Sequence, residues 1–551
     1  MKRKKIAYFF SLGVLIVFCS LTARAGDKPF PPVTVRDGKI YAGDEELFLK
    51  AVAYAGLRPG KDHTDPFTYK DYGYRLIEMD MKRIREAGFN AVRTWSLTDE
   101  KIIEIAAQHG LWVVGGIWTP QRLDVNSSHF VKDNTQLVAE QAKIYSKYHN
   151  IAMLLILNEP EPGFLRDQDK NKIKDYLDKI IQAAKKECKG VPVSFSNWPN
   201  AAVVDSQPWD VISYNIYAST TTKFQRSLGY RGYVEGIKKM KSCDKPFFIS
   251  ECTYYAPLPG RDPRDLTAFT YVKSEKEQSE KTLQDIDVLV QTGISGFTVM
   301  QWLDNWSVSS LYPFLKPVLK EPARNKFIHD NVAVEWGGLL SLDNDVKGNP
   351  RQVYFDLKKA NQALLLKPDS KDIYDNELPV SLYIEDTVGY VALFIDGSKT
   401  GDMERTSPHW IKQDVPVKHE GTKPERHTLE VYIYDTKGEL INTLQRDFFT
   451  GSKRTLPQVS ISASLDKMGW PTFLIRVAYP DGRPVPDAEV TWGALNALTW
   501  EEAEGTVVTD NKGEVSFVSP LYGEILLAGA GYHYRNGDFE KNCSDLLYLF
   551  Q

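Results

Sequence analysis

Two carboxylates stand where apolar runs typical of buried strands end. Glu159 follows residues 151–158, and Glu251 follows residues 245–250. One carboxyl group can donate a proton to a leaving group while another attacks the reacting carbon atom. Acids at the ends of two strands can therefore take part in one reaction. Cleavage of a glycosidic bond with retention of configuration requires two carboxyl groups about 5 Å apart. Glu159 and Glu251 are therefore the candidate catalytic residues.

Such a pair needs a fold that brings strand ends together. Between residues 33 and 360, short apolar runs alternate with amphipathic segments, which is the pattern of a parallel sheet with crossover helices. Eight parallel strands close a (β/α)8 TIM barrel, whose chemistry collects at the carboxyl ends of its strands. A doubly wound open sheet would give similar units, so closure rests on the number of runs. There are eight runs, at residues 47–54, 91–95, 112–118, 153–158, 193–197, 211–215, 247–251 and 297–302.

The helices between these runs are predicted from their period. Amphipathic segments at residues 74–87, 100–109 and 284–291 each lead to a glycine and then to an apolar run. Glycine adopts the left-handed conformation that ends many helices, so this repeat indicates successive αβ units. The three glycines are Gly88, Gly110 and Gly293.

The rest of the chain predicts an α/β barrel flanked by β structure. Residues 26–365 are assigned to the barrel, and a hairpin at residues 35–44, with an Asp-Gly and a Gly-Asp turn, should cover its floor. After residue 360 the helical period disappears, and alternating runs predict two small all-β sandwich domains, at residues 366–455 and 456–551. From the strings 481–490 and 509–515, the last domain resembles bacterial immunoglobulin-like and carboxypeptidase-regulatory-like modules.

The N-terminus has the features of a targeting segment. A basic stretch, residues 2–5, precedes an apolar stretch, residues 6–21, and Ala23-Arg24-Ala25 supplies small residues for a signal peptidase. Residues 1–25 are therefore predicted to be a signal peptide, with an uncleaved anchor as the alternative. The mature chain is expected to be exported, to the periplasm or the extracellular space, without stable membrane insertion.

Composition and missing motifs exclude several classes of function. The 551 residues carry a formal net charge of -4, whereas nucleic-acid-binding proteins usually show a basic face. The nine histidines form no paired metal-ligand spacing, and neither a phosphate loop nor a Gly-x-Ser-x-Gly elbow is present. The sequence therefore predicts no metal and no cofactor, and it leaves the oligomeric state open.

Cysteine spacing allows more than one interpretation. Export would permit disulfides, and Cys188 and Cys243 each end a predicted helix, so they could form a bridge or remain free thiols. Cys252 directly follows Glu251, where it is expected to be an oxidation-prone neighbour.

Five motifs follow one another along about residues 35–360: Gly88-Phe89-Asn90-Ala91-Val92-Arg93, Asn158-Glu159-Pro160, Ile249-Ser250-Glu251, Trp336-Gly337-Gly338-Leu339-Leu340 and Asn349-Pro350-Arg351-Gln352-Val353-Tyr354. Their order and spacing resemble the clan A glycoside hydrolases, which are retaining (β/α)8 enzymes, and the last two motifs resemble the barrel end of the family two subgroup. The resemblance implies that Glu159 is the acid/base and Glu251 the nucleophile. The N-terminal sandwiches of that subgroup are not expected here, because the predicted barrel starts close to the predicted signal cleavage site.

Neighbouring strand ends supply candidate substrate-binding residues. Asn158 would bind the sugar's 2-hydroxyl group, Arg93 would favour the ionised form of Glu251, and Tyr217 would donate a hydrogen bond to that carboxylate. Trp302 would stack on the sugar ring, although a lone tryptophan is more often core and an Arg–Glu pair can be purely structural. The occurrence of all these residue types at the ends of the predicted strands favours a catalytic role for the group. The full set is Arg93, Asn158, Tyr217 and Trp302, with Trp118 and Asn197 as weaker members.

The sequence thus predicts an exported retaining β-glycosidase that hydrolyses β-linked glycosides or oligo- and polysaccharides. Residues 53–80 also resemble fungal β-1,3-glucan transglycosylases of the same clan, so transfer to a sugar acceptor is an alternative. A non-catalytic carbohydrate-binding or adhesion protein is the alternative from another class. Loop sequence does not identify the sugar or its linkage.

Overall fold

The computed structural model describes residues 30–56, 74–97, 99–218, 223–241, 244–253, 256, 272–308, 332–335, 337–342, 347–419, 423–451, 456–523 and 525–550. The predicted signal peptide lies outside these residues. 

A short antiparallel sheet precedes the barrel and covers its floor. Its first turn, Asp37-Gly38, has positive φ at both residues (51° and 69°), as a two-residue hairpin requires. Val33 and Ile40 share a buried cluster with Leu49 and other residues of the barrel strands, so the predicted hairpin and its position are both confirmed. The strands are β1 (Val33–Arg36), β2 (Lys39–Ala42) and β3 (Glu45–Glu46).

Eight parallel strands close a barrel, and the first and last of them are neighbours. Each overlaps one of the eight apolar runs, so the predicted barrel is confirmed. Because these strands are covered on both faces, their sequences are apolar without strict alternation. They are β4 (Leu49–Ala53), β5 (Ala91–Arg93), β6 (Trp112–Gly116), β7 (Ile151–Asn158), β8 (Val193–Asn197), β9 (Ile212–Asn215), β10 (Phe247–Cys252) and β11 (Gly296–Val299).

Helices connect these strands, and the three helices whose ends the sequence predicts do end there. Gly88, Gly110 and Gly293 have φ of 77°, 70° and 68°, the left-handed conformation that stops a helix and turns the chain into the next strand. The helices are α1 (Arg75–Glu86), α2 (Lys101–Gln108), α3 (Ser128–Tyr145), α4 (Pro162–Asp167), α5 (Lys170–Glu187), α6 (Lys223–Met240), α7 (Glu275–Gln291) and α8 (Gln352–Ala360). Short strand pairs follow β11: β12 (Asn305–Val308) with β13 (Val332–Glu335), and β14 (Leu340–Ser341) with β15 (Asn349–Pro350).

The two predicted sandwich domains follow the barrel, and the strand Ala363–Lys367 crosses the predicted boundary at residue 365. The middle sandwich packs a three-stranded sheet, β16-β18-β21, on a five-stranded one, β17-β23-β22-β19-β20. Its strands are β16 (Ala363–Lys367), β17 (Ile373–Tyr374), β18 (Glu377–Ile384), β19 (Val388–Ile395), β20 (Ser398–Met403), β21 (Trp410–Pro416), β22 (Glu425–Asp435) and β23 (Leu440–Thr450).

The C-terminal sandwich packs the sheet β24-β25-β28 on the sheet β27-β26-β29-β30. Its Leu495, Leu527 and Leu546 extend into the buried cluster of the barrel, and Tyr548 donates a hydrogen bond to the carbonyl oxygen of Asn200 (2.7 Å). The sandwich is therefore fixed on the barrel by apolar residues of its strands that are buried in the barrel's cluster rather than in its own core. Its strands are β24 (Gln458–Leu465), β25 (Pro471–Ala478), β26 (Glu489–Asn496), β27 (Glu502–Val508), β28 (Glu514–Val518), β29 (Ile525–Asn536) and β30 (Phe539–Phe550).

A buried ion pair joins the barrel to the middle sandwich. The Lys50 ammonium group on β4 is fully buried and lies 2.5 Å from the Glu385 carboxylate and 2.7 Å from the carbonyl oxygen of Asn361. Arg85 of α1 bonds the other Glu385 oxygen at 2.8 Å. Burial opposes ionisation of Glu385, but the charges of Lys50 and Arg85 outweigh it and lower the pKa of this carboxyl group.

Removing the carboxylate should destabilise the protein strongly. In Glu385→Gln the Lys50 ammonium group stays buried without a counter-ion, and losing one partner of a buried pair costs about 3–5 kcal/mol. The midpoint of thermal unfolding should therefore fall clearly. Glu377→Gln, an exposed position on β18, is the matched control and should unfold as the wild type does. Equal midpoints for both variants would contradict the structural role of the pair.

Candidate active site

The carboxyl ends of four barrel strands bring one group of polar side chains together. Arg93 ends β5, Asn158 ends β7 with Glu159 directly after it, Asn215 ends β9, and Glu251 lies near the end of β10. Parallel strands in a barrel expose their carboxyl ends at the same mouth, so residues more than 150 positions apart can meet there.

Glu251 lies among hydrogen-bond donors. Its Oε1 accepts from Arg93 Nη1 at 2.6 Å and from the indole nitrogen of Trp95 at 3.0 Å, and its Oε2 accepts from the Tyr217 hydroxyl group at 2.5 Å. Arginine and tryptophan side chains can only donate, and the arginine is charged. The residue is 5% exposed, so these bonds replace most of its hydration. The surroundings therefore hold the carboxylate in a fixed orientation, with a donor on each of its oxygen atoms.

Arg93 is the centre of this network. The side chain is 1% exposed, and its Nη2 donates to Asn158 Oδ1 (3.0 Å) and to the Ser196 hydroxyl group (3.1 Å), while Nη1 binds Glu251. Its guanidinium group also lies 4.5 Å from the centre of the Trp95 ring, within the range of a cation–π contact. One side chain of β5 thus fixes groups on β7, β8 and β10.

Glu159 has a different environment. Its Oε1 accepts one hydrogen bond, from the Asn215 amide at 2.8 Å, and its backbone has φ of 46°, which turns the chain sharply at the end of β7. Burial and the negative charge of Glu251 raise the pKa of Glu159 to about 7, although Asn215 and Arg93 act in the opposite direction. The carboxyl group is therefore substantially protonated near neutral pH.

The two acids thus differ in what they can do. Glu159 can hold and release a proton near neutral pH, and Glu251 presents an ionised oxygen atom. Pairs of titratable groups whose environments drive their protonation apart are the usual basis of acid and nucleophile roles. The arrangement can protonate a leaving group while a carboxylate attacks.

Not every candidate from the sequence joins this cluster. Arg93, Asn158 and Tyr217 do. Asn197 does not, because its amide group bonds the Tyr214 hydroxyl group (3.1 Å) and the carbonyl oxygen of Ala201, and its Oδ1 accepts from the backbone of Trp198. Asn197 therefore shapes the loop after β8.

The two candidate tryptophans lie in opposite environments. Trp302 is 0% exposed and packs edge-on against Tyr354, with ring centroids 5.9 Å apart, so neither face is open to a sugar in this structure. Its stacking role stays a prediction. Trp118, after β6, is 44% exposed and could contact a ligand.

Sequence reasoning missed three residues of the site. Trp95 and Asn215 end predicted strands, and an indole or amide group at the end of a barrel strand is the signal that identifies them. Ser196 lies within a predicted strand, where a serine gives no such signal. Ser250 supports Asn215 by donating to its Oδ1 at 2.7 Å, which leaves the amide nitrogen directed at Glu159.

Cys252 corrects one expectation. Its thiol is fully buried and donates to the carbonyl oxygen of Thr298 at 3.2 Å. Burial, with the charges of Asp285 and Glu251, raises the pKa of this thiol well above its usual value, so the reactive thiolate is disfavoured. Cys188 is a buried free thiol, and Cys243, its possible partner, lies outside the described residues.

Within the ranges the structure describes, no group of three or more His, Cys, Asp or Glu side chains is arranged to hold a metal ion. In the same ranges, no helix has the length and apolar character needed to cross a membrane.

No protein-family model and no curated protein matches this sequence. Solved structures with partial similarity include a β-glucuronidase of Parabacteroides merdae with glycerol in its active site (12% identity, TM-score 0.44, covering 94% of this chain and 64% of that one). Others are a β-glucuronidase of Bacteroides uniformis (12%, 0.45, 94% and 67%) and one of Ruminococcus gnavus in complex with D-glucuronic acid (14%, 0.45, 60% and 51%). The chain spans about half to two thirds of the length of these proteins. Similarity at this level gives no information on substrate or mechanism.

Replacing Glu159 should change how stability depends on pH. An unfolded glutamate titrates near pH ~4.3, so the folded chain holds this proton more tightly and loses stability as pH rises from there to about 7. Glu159→Gln has no such proton to lose. Urea unfolding should show the variant about 1–3 kcal/mol more stable than the wild type at pH 8, with little difference below pH ~4.

The matched control is Glu161→Gln, a carboxylate two positions away that forms an exposed pair with Arg122. It should follow the wild-type profile. A Glu159→Gln variant that gains nothing between pH 4 and 8 would contradict a raised pKa at this position.

Proposed function

We propose that this chain is a retaining β-glycosidase of the clan A type. The observation that carries the proposal is the contrast between the two carboxyl groups of one barrel mouth: Glu159, with a pKa raised to about 7, and Glu251, held by Arg93, Trp95 and Tyr217. A general acid and an ionised nucleophile are the two groups that double displacement at an anomeric carbon needs.

In the first step, Glu251 attacks the anomeric carbon. The bond from this carbon to the leaving oxygen breaks, and Glu159 gives its proton to that oxygen, so the leaving group departs as an alcohol. A covalent glycosyl ester on Glu251 remains, and Glu159 is now ionised. Its negative charge no longer faces a full charge on Glu251, because the ester is neutral.

In the second step, Glu159 takes a proton from an incoming water molecule. The water oxygen attacks the anomeric carbon from the face that the leaving group left, and the ester bond to Glu251 breaks. Two inversions restore the β configuration and regenerate both carboxyl groups. A sugar hydroxyl group in place of water would give transglycosylation by the same steps.

The surrounding residues position rather than react. Tyr217, Trp95 and Arg93 hold Glu251 in place through hydrogen bonds. The Arg93 guanidinium group is itself anchored by its bonds to Asn158 and Ser196, which further limits the motion of the Glu251 carboxylate. Because Asn158 Oδ1 accepts from Arg93, the Asn158 amide nitrogen is oriented as the donor for a sugar hydroxyl group, which we assign to the 2-hydroxyl. Contacts to this hydroxyl strengthen as the oxocarbenium-like transition state forms.

Export is a separate part of the proposal. It is supported by the basic residues 2–5, the apolar residues 6–21 and the small residues 23 and 25. A polysaccharide-degrading enzyme acts where its substrate is, so export to the periplasm or beyond agrees with the proposed activity.

Substitution of the two acids should separate their roles. Glu251→Ala should abolish turnover, and azide should restore it in part, with an inverted glycosyl azide as product. Glu159→Ala should keep measurable activity on aryl glycosides with good leaving groups, because these need no protonation to depart. Asp167→Asn, an exposed residue of α4 paired with Arg166, is the control and should behave as the wild type. Wild-type rates on natural substrate for both alanine variants would sink the assignment.

The hydrogen bond from Asn215 predicts a shift of the pH profile. This bond lowers the pKa of Glu159, so its removal in Asn215→Ala should raise that pKa. The basic limb of kcat/KM reports the acid of the free enzyme, and it should move from about pH 7 to higher pH. A basic limb that stays in place or moves to lower pH would show that Glu159 is not the group that titrates.

A further inference from the structure

The C-terminal sandwich brings a tryptophan to the barrel. The loop between β26 and β27 carries Trp500, whose ring centroid lies 5.9 Å from that of Trp198, the residue after β8. Trp500 is 54% exposed, and Trp198 is partly exposed. Two indole rings from different domains therefore adjoin each other and remain accessible to solvent.

The loop that carries Trp500 is tightly organised. The buried Asn496 side chain accepts from the backbone of Leu498 (2.9 Å) and Thr499 (3.2 Å), and its amide group donates to the carbonyl oxygen of Tyr522 (3.1 Å). Trp500 itself has φ of 62°, a left-handed conformation that is uncommon for a bulky residue. Such strain persists only where the surrounding structure enforces it, and it is concentrated at binding sites.

The pair lies on the side of the catalytic acid. Trp198 donates its indole hydrogen to the carbonyl oxygen of Pro160 at 3.0 Å, and Pro160 directly follows Glu159. The same loop of the sandwich approaches α4, because a Cβ atom at Gly163 would lie 3.8 Å from a methyl carbon of Leu498. The general acid protonates the leaving oxygen, so the group bonded to that oxygen extends on this side of the mouth.

Domain packing alone does not require Trp500 in this position. The sandwich is already fixed on the barrel by the buried Leu495, Leu527 and Leu546 and by the hydrogen bond from Tyr548 to Asn200. A half-exposed ring in a strained conformation adds little to such an interface. An exposed, rigid aromatic surface beside a catalytic acid is instead what a ligand ring can stack on.

We propose that Trp198 and Trp500 form a platform for the leaving-group portion of the substrate, a β-linked oligosaccharide chain of which at least one pyranose ring stacks on the indoles. This inference rests on the proposed glycosidase function and assigns the C-terminal sandwich a direct part in it. The same platform binds the sugar acceptor when a hydroxyl group, rather than water, completes the second step. Asn197 supports the platform, since its Oδ1 accepts from the backbone of Trp198.

The test compares leaving groups of different length in a Trp500→Asn variant. Asparagine tolerates the left-handed backbone and removes the ring, so the fold should be kept or stabilised. With β-glycosyl fluorides, whose leaving group has no ring that could reach the indoles, kcat/KM should change far less than with a saccharide leaving group. With β-linked hexasaccharides of the same sugar, kcat/KM should fall roughly ten-fold, the scale of one aromatic contact. Trp500→Phe should restore part of it.

Tyr434→Ala is the matched control, because it removes one ring of the stacked Tyr390–Tyr434 pair on the middle sandwich, with centroids 4.7 Å apart. It should leave the hexasaccharide rates unchanged. An equal loss on both substrate classes, a lower unfolding midpoint in Trp500→Asn, or unchanged hexasaccharide rates would overturn the platform.

Binding measurements separate this inference from the proposed function. In a Glu251→Gln background, calorimetry with β-linked hexasaccharides of glucose, galactose, mannose and xylose should show binding that Trp500→Asn weakens about ten-fold. If the chain binds a hexasaccharide in this way but the otherwise unmodified protein never cleaves one, the platform stands and the glycosidase function fails. If none of these saccharides binds, the platform is wrong.

Discussion

A buried arginine is the constraint on which the site depends. The Arg93 guanidinium group lies inside the mouth of the barrel at 1% exposure, and a charge so placed must find partners or destabilise the fold. Its partners come from β7, β8 and β10, and no two of them are close in the sequence. Only a closed barrel can deliver them together, so the same closure that satisfies the charge also assembles the site.

The position of the Arg93 guanidinium group gives two chemically identical side chains different environments. Glu251 receives the guanidinium group directly, together with indole and phenol donors, whereas Glu159 receives a single neutral amide and faces the negative charge of Glu251. Burial removes water from both carboxyl groups, but only Glu251 has several strong donors in place of that water. This electrostatic asymmetry, rather than residue type, is what keeps Glu159 substantially protonated near neutral pH.

The two sandwich domains serve the barrel in different ways. The middle domain is tied by the buried Lys50–Glu385 pair to the first barrel strand, away from the strand ends that carry the two acids. The C-terminal domain packs beside α6 and sends the loop with Trp500 towards the residues that follow Glu159. One domain supports the fold, and the other reaches the side of the mouth where a leaving group would extend.

The sequence by itself determined the barrel, three of its helix ends and the positions of the two acids, because each produces a local pattern. Apolar runs of strand length mark the barrel strands, glycines after amphipathic segments mark the helix ends, and the two carboxylates lie at the ends of apolar runs. It also placed Arg93, Asn158 and Tyr217 near the acids, since strand order fixes which ends share a mouth. Tertiary structure alone decided the environment of each side chain. All four of the following residues lie at or near the end of a barrel strand. Trp302 is buried in packing contacts, and Asn197 bonds groups of its own loop and Tyr214. Trp95 and Asn215 instead donate hydrogen bonds to Glu251 and Glu159. Side-chain direction, burial and the approach of a distant domain such as the one that carries Trp500 depend on contacts between residues far apart in the chain, and no local pattern encodes those distances.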